Sequence, residues 1–224
     1  MADLYVDCTT GTKGIGSETG AGSEGDPYVT VAGAYSAAST GDTLFIRTSA
    51  TEKYTPTTQV NDGKGLTAKP WDQSFVQVDA VNLSSTYVWR LEDANSKTTF
   101  FDIENISAGK YAFRINANIA SGGFSDNVVH DGAGNGVLTG SGITGTINAY
   151  RNKFRRLNRG WVINGSTGTI NLREGESLDC TASNMEVNAA GVTVNAYSFI
   201  TAGASIYNWW IRAGTVNHYT PVLL

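Results

Sequence analysis

The chain has 224 residues, 41% hydrophobic and only 16% charged, with 26 glycines and a net charge of −4. That length suits one domain with a real core, and low charge with many Gly, Thr, Ser and Asn is a β-rich, turn-rich composition. The negative balance gives no electrostatic case for nucleic acid, and no stretch approaches the apolar length of a membrane span.

The start, Met1-Ala2-Asp3-Leu4, has neither a basic n-region nor an apolar h-region and is not expected to be a classical signal peptide. Asp3 to Asp7 reads as a first strand, and Thr9 to Asp26 as a Gly/Ser/Thr-rich loop. Its run Gly14-Ile15-Gly16-Ser17-Glu18-Thr19-Gly20 is not G-x-G-x-x-G and precedes no periodic helix, so it reads as surface loop rather than phosphate cradle. In the following stretch Val31, Ala34, Tyr35 and Ala38 share a helical face. A short helix there would close the end of a stack of strands, and Gly41 to Ile46 then returns to strand.

Further along, two repeats dominate. Positions 89, 113, 137, 161, 185 and 209 are Trp, Phe, Val, Trp, Met and Trp, and two residues on lie Leu91, Ile115, Thr139, Ile163, Val187 and Ile211. Eleven of these twelve residues are apolar, at a step of 24. In parallel, Gly145, Gly168, Gly191 and Gly214 are 23 residues apart, and each begins a Gly-Thr-Ile-Asn-like segment holding Asn148, Asn171, Asn195 or Asn217. Gly122 extends this series by one step. Alternation within each segment is strand-like, and recurrence stacks equivalent strands. The pattern predicts an all-β chain: a single-stranded right-handed parallel β-helix with 23–24 residues per rung and a short N-terminal capping helix. Residues 1–50 supply strand, loop and cap, and 51–224 the rungs and a closing segment, Tyr219 to Leu224, within one domain overall. About six rungs are expected from residue 74 onward. The four asparagines are expected to form a corner ladder, since stacked amides hydrogen-bond and Asn tolerates tight corners.

Cys8 and Cys180 lie far apart along such a solenoid and are expected to be free thiols. With only His130 and His218 besides them, no metal site is expected, and no cofactor. The acidic sets open to a catalytic reading are Asp102 with Glu104, the cluster Asp126, His130 and Asp131, and Glu174 with Glu176 and Asp179. A glycosidase would need two of these carboxylates at a fixed separation across a groove; solvated loop acids explain them equally. Arg151, Lys153, Arg155, Arg156 and Arg159 form the only basic cluster. It reads as a charged loop or as a contact for an acidic glycan or a neighbouring subunit. Trp71, Tyr207 and Trp210 are rings able to stack on sugars or on a partner.

Tyr5-Val6-Asp7, the Gly-rich loop, Pro27-Tyr28-Val29-Thr30-Val31, the Ala-rich stretch to Ala38 and Gly41-Asp42-Thr43-Leu44-Phe45-Ile46 resemble the N-terminal cap of the pectate-lyase-like β-helix superfamily. The resemblance covers about a fifth of the chain and speaks to fold more than to activity. That superfamily includes pectin-degrading enzymes, bacterial surface proteins and bacteriophage virion proteins. It implies one of two roles. The first is a non-enzymatic structural or adhesive virion protein (capsid decoration, fibre or tailspike). Such a protein would assemble in the host cytoplasm with other virion proteins, with a homotrimer as the default and a host-surface glycan as ligand. The second is an extracellular polysaccharide hydrolase or lyase.

Overall fold

The computed structural model describes residues 1–9, 22–119 and 122–219; most of the expected 9–26 loop and residues 220–224 of the closing segment lie outside them. The described chain is a β-solenoid of about seven turns, nearly all parallel strand. A complete turn contributes one strand to each of three parallel sheets, which hold nine, six and seven strands because the first and last turns are incomplete. One full turn runs Thr146–Tyr150, Lys153–Arg155 and Arg159–Ile163, and the next begins at Thr169.

The step of 24 marks the seven-stranded sheet. Trp89, Phe113, Val137, Trp161, Met185 and Trp209 are consecutive register partners. Their inward rings meet inward rings of the other sheets edge to face. Trp89, Phe101, Phe113, Phe124 and Trp161 follow one another at centroid separations of 5.0–6.2 Å, and Phe154 joins at 5.5 Å. This aromatic spine is fully buried. Edge-to-face pairs contribute about 0.5–1.5 kcal/mol each beyond burial, so stacking rungs gains what one rung cannot.

The recurrent asparagines are on the nine-stranded sheet, at the centre of each strand and facing outward, not at a corner. Asn171 Nδ2 donates to Asn148 Oδ1 at 2.8 Å, and Asn195 and Asn217 continue the ladder at 2.9 Å. Their residues pair in register and are only partly buried. The corner is instead held by Asn127 and Asn152, both buried, whose amides join one another and the carbonyls of Thr98 and Phe124. An inward amide at a corner takes up backbone groups that the bend leaves unpaired.

The six-stranded sheet is the least regular in sequence. Its strands are mostly three residues long and are bracketed by residues with positive φ. Phe100, Asp126, Arg151, Glu174 and Ser198 precede them, and Asn105, Asp131, Arg156, Asp179 and Gly203 follow. One left-handed residue at each end turns the chain sharply without a loop.

The expected helix forms at Val31–Ala37, with the Thr30 hydroxyl accepting from Gly33 N at 3.0 Å as N-cap. Val31 and Ala34 are buried against the first strands, and Lys64 Nζ donates to the carbonyls of Tyr35 and Ala38 at the helix end. Turns begin earlier than residue 74: Asp3–Asp7, Thr43–Arg47 and Thr67–Pro70 already pair in series. Longer connections between these early strands hide the period. At the other end the last described rung exposes Ile206 and Ile211, by 63% and 48%.

Candidate functional site

Alternation on the six-stranded sheet sends Val76, Val78, Phe101, Ile103, Val129 and Phe154 inward, all fully buried. The residues between them form two outward columns. One is Gln77, Asp102, Val128, Lys153 and Glu176, and the other is Asp79, Glu104, His130, Arg155 and Leu178. Nearly every charged side chain singled out in the sequence belongs to this face or to its two corners.

His130 is the centre. Its Nε2 lies 3.0 Å from Asp102 Oδ1 on the preceding rung, and its Nδ1 lies 2.7 Å from Asp131 Oδ2. Hydrogen bonding to Asp102, then to Asp131, outweighs burial and raises the imidazole pKa to about 9. At neutral pH it is an imidazolium with both N–H groups donating. Asp131 is held well below the usual carboxylate range, first by Arg156 and then by His130. Arg156 Nη2 meets it at 2.8 Å. Gln77 Nε2 donates to the other Asp102 oxygen at 3.2 Å, and Glu104 is paired with Lys53.

Asp126 takes no part in this cluster. It receives a two-pronged pair from Arg151, Nε to Oδ1 at 2.6 Å and Nη2 to Oδ2 at 2.9 Å. Two corner ladders result, Asp126 with Arg151 and Asp131 with Arg156; the charges of Glu174 and Asp179, one rung on, also act on these guanidinium groups. Of the remaining basic cluster, Arg155 Nε donates to Glu176 at 2.6 Å, while Lys153 is exposed on the sheet face. Arg159 belongs to the seven-stranded sheet, paired with Glu186 at 2.8 Å. The acidic and basic clusters therefore meet across rungs. Tyr207 and Trp210 stand on that third sheet too, stacked at 5.3 Å, with Arg212 5.1 Å above Trp210.

Chemically, both nitrogens of the imidazole are occupied, while Asp131 and Arg156 stay about half exposed. The space between Asp102 and Asp131, where two catalytic carboxylates would admit a sugar or water, is filled by the imidazolium. A general base needs an open lone pair near neutral pH, and His130 has none. Among the described residues no group of three or more His, Cys, Asp or Glu could hold a metal ion. Asp102 and Lys53 were not grouped with His130 by sequence spacing. The signal was available in the rung offset, which places Asp102 beside Val128.

No protein-family model matches the chain, and no curated protein matches it in sequence. Among solved structures it is similar to a rhamnogalacturonan lyase. The two are 14% identical with a TM-score of 0.49, over 88% of this chain and 68% of that one.

Proposed function

We propose that the chain is a rigid, non-catalytic solenoid serving as a structural or adhesive component of a bacteriophage particle. The observation that carries the non-catalytic part is the closed state of the His130 site. Both ring nitrogens are bound to carboxylates, and the flanking acids are matched by Arg156 and Lys53. The amide ladder and the charged corners support a scaffold role, because each ties one rung to the next. The particle assignment, other virion proteins as partners, a homotrimer and a host-surface glycan draw on the resemblance of the N-terminal cap.

Mass spectrometry of purified particles tests the assignment. The chain should be present in stoichiometric amount, and finding it only as a secreted monomer would overturn the reading. Light scattering should give a trimer; a monomer removes that part. Incubation with a polysaccharide panel, with and without calcium, should leave product size and reducing ends unchanged. Depolymerisation that Asp102→Asn abolishes would replace this reading with a polysaccharide-cleaving one.

A further inference from the structure

The nine-stranded sheet carries an outward column whose early members are Tyr5, Phe45 and Lys69, followed further along by Thr99 and Ser125. Around Phe45 and Lys69 opens a cleft of about 430 Å³, lined also by Trp71, Gln73, Thr99 and Phe100. Three aromatic rings edging one surface cleft need explaining, because the spine already satisfies the packing of the core.

Phe100 is the sharpest anomaly. It occupies the corner filled by Asp126, Arg151, Glu174 and Ser198 in later rungs, with φ of 60°. A bulky residue rarely adopts that conformation, and Asn or Gly would hold the same corner without cost. The residue is also 41% exposed. Among the described residues its ring meets one other, Phe75, edge to face at 5.9 Å. The fold thus tolerates both a backbone and a solvation penalty to keep a ring at the cleft, the kind of strain that gathers at ligand sites.

Trp71 is pre-set. Arg47 Cζ lies 3.7 Å over its ring and is anchored by Asp7 at 3.3 Å and Asp72 at 2.7 Å. Tyr5 stacks on Phe45 at 5.1 Å and meets Trp71 edge-on at 4.9 Å. Ring positions fixed in this way lose little entropy on binding. Lys69 Nζ sits 4.5 Å from the Phe45 ring and, among the described residues, meets no carboxylate. The nearby acids Asp7 and Asp72 are already matched by Arg47.

We propose that this cleft binds a sugar unit of an acidic glycan. The C–H face of the pyranose packs on Phe100 and Trp71, and its carboxylate meets Lys69. Flat apolar rings with hydrogen-bonding groups between them suit a saccharide, and the unmatched ammonium selects an acidic one. The inference deepens the adhesive reading by giving it a site at the corner beside the His130 face, centred on the nine-stranded sheet, but its test does not depend on the particle.

The full chain is applied to an array of uronic- and sialic-acid oligosaccharides beside neutral ones. The tightest acidic oligosaccharide and its carboxyl-reduced counterpart are then titrated calorimetrically. Phe100→Asn and Trp71→Ala should each weaken binding at least tenfold. Lys69→Gln should abolish the preference for the acidic form. Because Asn suits a positive φ, Phe100→Asn should keep or raise the melting temperature, which separates lost binding from lost fold. Ile206→Ala, exposed on the last described rung, should bind as the wild type does. No retained acidic glycan, equal affinity for the reduced form, or Phe100→Asn binding within twofold of wild type would each overturn the proposal. Absence of the chain from particles with binding intact would overturn only the virion reading.

Discussion

Asn171→Ala tests whether the outward amide ladder is a cooperative element or a decoration. Asn171 donates to Asn148 at 2.8 Å and accepts from Asn195 at 2.9 Å, so its removal cuts two amide hydrogen bonds. Asn148, at the start of the ladder but inside the stack, takes part in only one of its rungs. A net contribution of about 0.5–1.5 kcal/mol per bond puts Asn171→Ala at about 1–3 kcal/mol and Asn148→Ala at half that. Asn and Ala are both poor strand residues, and both sites are partly buried, so propensity and transfer terms nearly cancel. Urea unfolding of the two single variants and the double variant measures this directly, provided the m-value is unchanged. The double-mutant cycle should return a coupling of at least about 0.5 kcal/mol. Equal costs for the two single variants, with a coupling of zero, would refute the ladder as a source of stability.

Other outcomes follow from the same geometry. The His130 pKa is raised from 6.5 to about 9, so the stability it contributes is complete below pH 6.5 and is lost as pH rises through 9. After discounting for solvent screening that amounts to about 1 kcal/mol. Calorimetric melting should fall between pH 7 and 9.5 in the wild type but stay flat in His130→Gln; an identical slope in both would exclude His130 as the source. Gly160→Ala places a Cβ 1.8 Å from Ser177 Oγ and 2.6 Å from the Asn184 carbonyl. It should cost about 1–3 kcal/mol or more in urea unfolding, whereas Gly25→Ala, which meets open space, should cost almost nothing. Burial pushes the Cys8 thiol up to about 12 and raises Cys180 as well. Native protein should therefore resist a thiol-reactive disulfide reagent at pH 8 and react at both cysteines once unfolded.

How far the sequence could be read depended on which side chains repeat. The aromatic and aliphatic series on the seven-stranded sheet was legible because two inward positions per strand recur at a constant step. The asparagine series was legible as a stack but misplaced, because Asn fits corners and ladders equally well. The amides at the corner between the nine- and six-stranded sheets, Asn127 and Asn152, form a single pair and no visible series. The six-stranded sheet was invisible. Its strands carry one or two inward residues each, and the left-handed positions before them hold Phe, Asp, Arg, Glu and Ser at steps of 26, 25, 23 and 24. No residue type marks them. The His130 site was half legible for the same reason. Asp131 is adjacent in sequence, but Asp102 comes from one rung earlier, and an uneven step conceals it. Phe100 and Lys69 gave no periodic signal, since what sets them apart is departure from the pattern of later rungs.

The corner charges carry one more consequence. Successive rungs present two acids, Asp126 and Asp131, then two arginines, Arg151 and Arg156, then two acids again, Glu174 and Asp179. The sign alternates with a period of two rungs, whereas the backbone repeats every rung. A chain that slipped by one rung while winding would still offer parallel strands to one another yet set acid against acid at both corners. The alternation thus acts as a parity check on assembly. It also means that duplicating two of these rungs preserves the sequence of signs, while duplicating one breaks it.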